Sequence, residues 1–248
     1  MPCSARTTRT RLLNAGLPSR VPAKKPFLSP EHKAERLRFA QTYAAENVDF
    51  WRSVIFTDES SFSSVSTAGR HCRRRTGERY NANNIYSLDR SGRVSQAMHG
   101  WMWYGGVGEL VTIEGNMNSY EYINILETSF LPSVRTYAIM EPDPIYFVQD
   151  RSPIHNSGIV RDWFSRHPEI HLLDWPPKGC DINPIENIWG IMKRDWEVGE
   201  QTKAAVIRHS YAVWEGIRGT PDMCSKLVDS LPSRLQQVID ADGGWIKY

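Results

Sequence analysis

The sequence predicts an α/β fold in which a mixed sheet is flanked by helices, with a short basic helix and linker in front and a helical tail behind. Three observations predict it. Short β-branched or aromatic runs, bounded by polar residues or Gly, recur from residue 54 onward. Strand and helix then alternate, as they do where helices cover the faces of a sheet. An apolar fraction of 40% over 248 residues supplies a core for one large domain or two small ones.

Taken in order, Ser4 to Leu17 reads as a short helix, capped by Ser4, partly periodic in Leu12, Leu13 and Leu17, and ended by Gly16. Pro18 to Ser29 follows as an extended linker, because Pro18, Pro22 and Pro26 oppose helix while Lys24 and Lys25 suit a phosphate backbone. Ser29 and Pro30 open a helix to about Glu46, Ser as N-cap and Pro at the first helical position. Strands are expected at Val54 to Thr57, Phe62 to Val65, His99 to Tyr104 and Leu110 to Ile113, with an Arg-rich excursion, Ser66 to Gln96, between the second and third. Tyr122, Ile123, Leu126, Phe130 and Leu131 then recur at helical spacing from Ser119 to about Tyr137. Ile145 to Val148 is an apolar strand, Ile159 to Arg166 a helix, His171 to Leu173 a strand, and Pro184 to Trp196 an amphipathic helix. Helices at Lys203 to Ile217 and Pro221 to Asp240 close the chain. Trp101, Trp103, Trp189 and Trp196 read as core.

Charge is unevenly distributed. Nine Lys or Arg against two acids give residues 1–38 a charge of +7; since the whole chain carries +2, the remainder carries −5. A basic arm ahead of an acidic body suits a phosphate-binding segment on a domain whose own site gathers carboxylates. The four cysteines are far apart and form no CxxC pair, which argues against structural zinc or a disulfide framework and for a reducing compartment. No apolar run approaches the roughly 20 residues that span a bilayer, so the chain reads as soluble, with no membrane partner.

Two apolar strands end alike, Val54-Ile55-Phe56-Thr57-Asp58 and Ile145-Tyr146-Phe147-Val148-Gln149-Asp150. If they are adjacent and parallel, Asp58 and Asp150 meet in the crevice outside the strand ends. Glu186 follows Asp150 after 35 intervening residues, at the edge of the stripe formed by Ile185, Ile188, Trp189, Met192 and Trp196. Two roles are open to it: a capping box with Asn183, or a third carboxylate at the same crevice. Three converging carboxylates require cations, and oxygen-only ligands favour Mg²⁺ or Mn²⁺. Two such ions about 3.5 to 4 Å apart clamp an in-line phosphodiester displacement. Glu59, one residue past Asp58, points to the opposite face if the strand continues.

These segments resemble the mariner superfamily of transposases. Val54 to Phe62 resembles the family's first-aspartate strand, and Arg74-Arg75-Thr76-Gly77-Glu78-Arg79-Tyr80 its basic loop. Gln149-Asp150 with Pro153 and His155 is similar to its second-aspartate motif, and Trp175-Pro176-Pro177 through Gly190 to its glutamate motif. The resemblance implies an RNase H-like fold with Asp58, Asp150 and Glu186 as a metal-binding catalytic triad. It also implies cut-and-paste excision and insertion, usually at TA, by a homodimer on double-stranded DNA in the nucleus. Residues 1–28 then stand for what remains of a helix-turn-helix region plus basic linker, and 29–248 for the catalytic domain. DNA contacts are expected from Arg9, Arg11, Arg20, Lys24 and Lys25, from Arg73, Arg74, Arg75 and Arg79, and from Arg151 and His155.

Two departures motivate an alternative, a catalytically impaired or domesticated transposon-derived DNA-binding protein. Arg151 stands where the family usually has Asn, placed to pair with Asp150 or to contact phosphate. Family members also begin with two helix-turn-helix units, of which Ser4 to Leu17 resembles only the last recognition helix.

Overall fold

The computed structural model describes residues 4–18, 25–65, 93–136, 145–194, 196, 198 and 200–247. Helix α1 (Ala5–Asn14) is capped by the Ser4 side chain and buries none of its residues. Helix α2 (Pro30–Tyr43) starts at Ser29, whose hydroxyl accepts the His32 amide, and buries Arg36, Phe39 and Ala40. A five-residue helix, α3 (Val48–Arg52), capped by Asn47 and not expected from periodicity, leads into the first strand.

Five strands form one sheet in the order β3-β2-β1-β4-β5: β1 (Val54–Ser63), β2 (Ser95–Trp103), β3 (Gly106–Thr112), β4 (Ile145–Val148) and β5 (Ile170–Leu172). Strand β1 is antiparallel to β2 and parallel to β4. The sheet is therefore mixed, as the sequence predicts. The segments expected as separate strands at 54–57 and 62–65 are largely one strand, because β2 pairs with β1 continuously from Phe56 to Ser63. Parallel pairing with β4 stops earlier, at Phe56 and Val148. Asp58 thus lies inside β1, just where β4 leaves it, and not beyond the strand's end.

Side-chain alternation along β1 divides the core. Val54, Phe56 and Phe62 join a cluster with α7 (Ile185–Arg194), α8 (Lys203–Arg218), α9 (Pro221–Asp229) and α10 (Leu231–Asp240). Ile55 joins a cluster on the other face with α4 (Ser119–Ile125), a π-helical turn (Leu126–Phe130), α5 (Leu131–Thr136) and α6 (Gly158–Ser165). Pro232 splits the expected tail helix at Ser230, since it has no amide to continue α9. Of the four tryptophans read as core, Trp101, Trp189 and Trp196 are buried, and Trp103 is half-buried against the second cluster. Among the described residues no helix is long and apolar enough to cross a membrane.

Candidate active site

Strand pairing places the two aspartates. Phe56 faces Val148 across the parallel β1 and β4, so Asp58 and Asp150 each stand two residues further on. Thr57 ties this point together: its hydroxyl donates to the Val148 carbonyl at 2.8 Å, and its own carbonyl accepts from Asn183 Nδ2 at 3.2 Å. Asn183 belongs to the segment that carries Glu186, so one residue of β1 anchors both other elements of the site.

That segment is held by two buried arginines, Arg36 and Arg234. Arg36 donates to both carboxylate oxygens of Asp181 at 2.7 and 2.8 Å, and to the carbonyls of Lys178, Gly243 and Gly244. Arg234 donates to Asn187 Oδ1 at 2.8 Å and to the Ile182 carbonyl. Both arginines are fully buried. Nothing in local periodicity distinguishes them from surface residues, because their partners lie up to 208 positions away.

Asp58, Asp150 and Glu186 line one cleft of about 430 Å³, whose walls include Arg151, Trp175, Pro176, Lys178 and Cys180. Burial, followed by the charges of Glu186, Glu59 and Asp150, pushes the Asp58 carboxyl well above the ordinary carboxylate range. Trp189 Nε1 donates to Asp58 Oδ2 at 3.2 Å, so this core tryptophan also touches the site. Burial likewise raises Glu186, with Lys193 and Lys25 acting in the opposite sense. Among the described residues the Glu186 carboxylate accepts no hydrogen bond from Asn183; the Asn183 side chain instead accepts the Ile185 amide at 3.4 Å. The capping-box role is therefore not the one adopted.

Asp150 is held differently. Burial alone would raise it, but hydrogen bonds from His155 and the Ser152 amide leave it below its ordinary value. Lys193, two turns after Glu186 on the same face of α7, donates to Ser60 Oγ at 2.6 Å. The i to i+7 spacing that puts Lys193 on the Glu186 face is a local property of the helix. Burial lowers its ammonium pKa, while Glu186 and Asp58 act to raise it.

The expected DNA contacts separate into three groups. Arg9 and Arg11 are exposed on α1, and Lys25 lines a second depression beside Glu186, with its Nζ 5.2 Å from the Trp245 ring centre. Arg20, Lys24, Arg73, Arg74, Arg75 and Arg79 lie outside the described residues. Arg151 and His155 are occupied within the chain. Arg151 pairs with Glu35 of α2, donates to Asp174 Oδ1 at 2.8 Å and to the Trp175 carbonyl at 2.7 Å, and does not pair with Asp150. Three acceptors from α2 and the segment after β5 outcompete its sequence neighbour. His155 is 3% exposed, with Nδ1 2.7 Å from Asp150 Oδ1, so its ring is buried and not presented at the surface.

An all-oxygen set of carboxylates around a buried, destabilised Asp58 has the donor chemistry for a hard divalent cation. As the side chains are oriented, no three Asp, Glu, His or Cys residues among those described already enclose an ion. Asp58 turns toward Trp189 and Asp150 toward His155, so ligation requires these carboxylates to be shared with the cleft.

A mixed five-stranded sheet covered by helices, with Asp58, Asp150 and Glu186 on one cleft, is an RNase H-like architecture. Known proteins agree. A family model described as DDE superfamily endonuclease matches residues 53–205, and one described as Transposase matches residues 1–45. The chain is 35% identical to the Tc1 transposase of Caenorhabditis elegans over 99% of its own length and 88% of that protein's. It is 34% identical to the Tcb1 transposase of Caenorhabditis briggsae, again over 99% and 88%. The fold matches the Mos1 transposase paired-end complex with a TM-score of 0.81, at 15% identity, covering 98% of this chain and 71% of that one. It matches the Mos1 catalytic domain with a TM-score of 0.70, at 13% identity, covering 91% and 100%. The chain belongs to the Tc1/mariner family of DNA transposases, and its enzymatic part is a DDE endonuclease domain.

Proposed function

We propose that Asp58, Asp150 and Glu186 are the catalytic, metal-binding residues of cut-and-paste transposition. The observation that carries this is the common cleft, where two in-register strands and α7 present three carboxylates. Mg²⁺ or Mn²⁺, as two ions held by these residues, would activate the attacking oxygen and stabilise the leaving 3′-oxygen. That relatives of this fold have been solved with Mn and with Mg supports a divalent ion. The chain's own part is to hold Asp58 beside Trp189, Asp150 beside His155, and Glu186 on a segment locked by Arg36 and Arg234. Lys193 places a cation beside Asp58 and Glu186.

In this reading residues 29–248 form the catalytic domain, since α2 buries Arg36 against Asp181. Residues 1–28 supply Arg9, Arg11 and Lys25 to the backbone of double-stranded DNA. A homodimer on the transposon ends, a TA target and nuclear action complete it.

The test is cleavage of DNA bearing the element's terminal repeats by the purified chain with Mg²⁺ or Mn²⁺. Cleavage should vanish in Asp58→Asn, Asp150→Asn and Glu186→Gln. Cleavage that survives Asp150→Asn would overturn the assignment.

A further inference from the structure

Asp58 and Glu59 are consecutive residues of β1, so they leave the sheet on opposite faces. Asp58 enters the cleft from the α7 side. Glu59 pairs across the sheet with His99 and projects among Tyr122, His99 and His155. His155 connects the two faces. Its Nδ1 lies 2.7 Å from Asp150 Oδ1, and its Nε2 lies 3.5 Å from Glu59 Oε1.

The imidazole is tightly held. Its ring packs on Tyr122 with centres 4.2 Å apart; the Tyr122 hydroxyl donates to Gln149, and Gln149 Nε2 donates to the His155 carbonyl. Asp150 Oδ1 also meets the Ser152 amide at 2.9 Å. One oxygen of Asp150 is thus pinned twice, while among the described residues Oδ2 has no protein donor. Among the described residues Glu59 Oε1 and His155 Nε2 are both buried without a hydrogen bond, and they lie 3.5 Å apart, closer than the 3.8 Å between Glu59 Oε1 and His99 Nε2.

We infer that Glu59 and His155 are positioning residues that act in series on Asp150, Glu59 fixing the imidazole and the imidazole fixing the carboxylate that a divalent ion would share. The inference rests on the proposed metal-binding role of Asp150. Two neighbouring acids of one strand then serve the same site by different routes, one directly and one through the back of the sheet. Groups that orient a ligating carboxylate commonly change metal affinity by about 10- to 100-fold when removed.

Mn²⁺ binding to the full chain, read from the loss of the free-ion paramagnetic resonance signal, tests this without catalysis. His155→Asn is expected to weaken binding about 10-fold and Glu59→Gln several-fold. The double variant should bind no more weakly than His155→Asn alone, because residues in series do not add. Additive losses would overturn the inference, as would wild-type affinity in Glu59→Gln while Asp150→Asn binds weakly. If His155→Asn fails to fold, Glu59→Gln decides alone, since the amide keeps the carboxylate's shape. Wild-type affinity in both Asp58→Asn and Asp150→Asn would instead remove the metal-site reading itself.

Discussion

Asp58 and Asp150 stand at equivalent positions on neighbouring parallel strands, each two residues beyond the Phe56 and Val148 pair. Such an arrangement concentrates negative charge where it is costly, and Asp58 bears most of that cost because it is the more buried of the two. In metal-free buffer, folding therefore favours the protonated Asp58. Its folded pKa is raised, so stability is fullest below the ordinary carboxylate range and falls as pH climbs through the raised value. Asp58→Asn should abolish cleavage yet raise metal-free stability at pH 7 by about 0.5 to 2 kcal/mol. Urea denaturation at pH 5 and pH 7 checks this; an Asn variant less stable than wild type at pH 7 would contradict it.

Gly100 pairs with Asp58 across β1 and β2. A Cβ there would lie 2.8 Å from Trp189 and 3.0 Å from Trp214, two rigid rings stacked on each other. Gly100→Ala should cost about 1 to 3 kcal/mol and displace the Trp189 donor from Asp58. Denaturation together with cleavage rate measures both effects, and unchanged tryptophan fluorescence with unchanged rate would argue against the coupling.

Arg36→Ala leaves Asp181 buried without its partner and frees the segment leading to Glu186. Loss of one member of such a pair typically costs about 3 to 5 kcal/mol. The variant is expected to melt far earlier and to lose cleavage even at temperatures where it stays folded.

Arg151 is a tie between α2 and the segment after β5. Replacing it with Asn should lower stability by about 1 kcal/mol, the scale of a partly exposed ion pair, and leave cleavage in place. A gain or loss of cleavage beyond tenfold at equal folding would show that Arg151 acts on the site.

Of the two cysteines described, Cys180 is exposed at the cleft and Cys224 is buried, its thiol pushed up to about 11 by burial. Iodoacetamide at pH 8 should label Cys180 and spare Cys224 until the chain unfolds. Because the folded thiol keeps its proton to higher pH than the ordinary 9.0, stability should also decline between about 9 and 11. Mass spectrometry of native and denatured samples separates the two sites.

Local patterning was enough for a helix-covered α/β sheet, for most helices and for Asp58, Asp150 and Glu186 as candidates, while the RNase H-like mixed sheet followed from the family resemblance. Strand propensity, capping and the apolar stripe of α7 are properties of neighbouring residues, and neighbouring residues are what a sequence displays. Local composition departs from the structure where pairing across the sheet prevails over it. The polar run Glu59-Ser60-Ser61 has little strand character, yet β2 carries β1 straight through it.

Distant packing settled the rest. Arg151 sits next to Asp150 in the chain but bonds to Glu35 and Asp174, since guanidinium geometry follows the acceptors within reach. Arg36 and Arg234 look like surface charges until the fold surrounds them with carbonyls and with Asp181 and Asn187. His155 acquires its place because β1 and β4 bring Glu59 and Asp150 to either side of one ring. The acidic residues were therefore readable from their strands and helix, whereas the groups that hold them were not, because a buried polar side chain takes its partners from the whole fold.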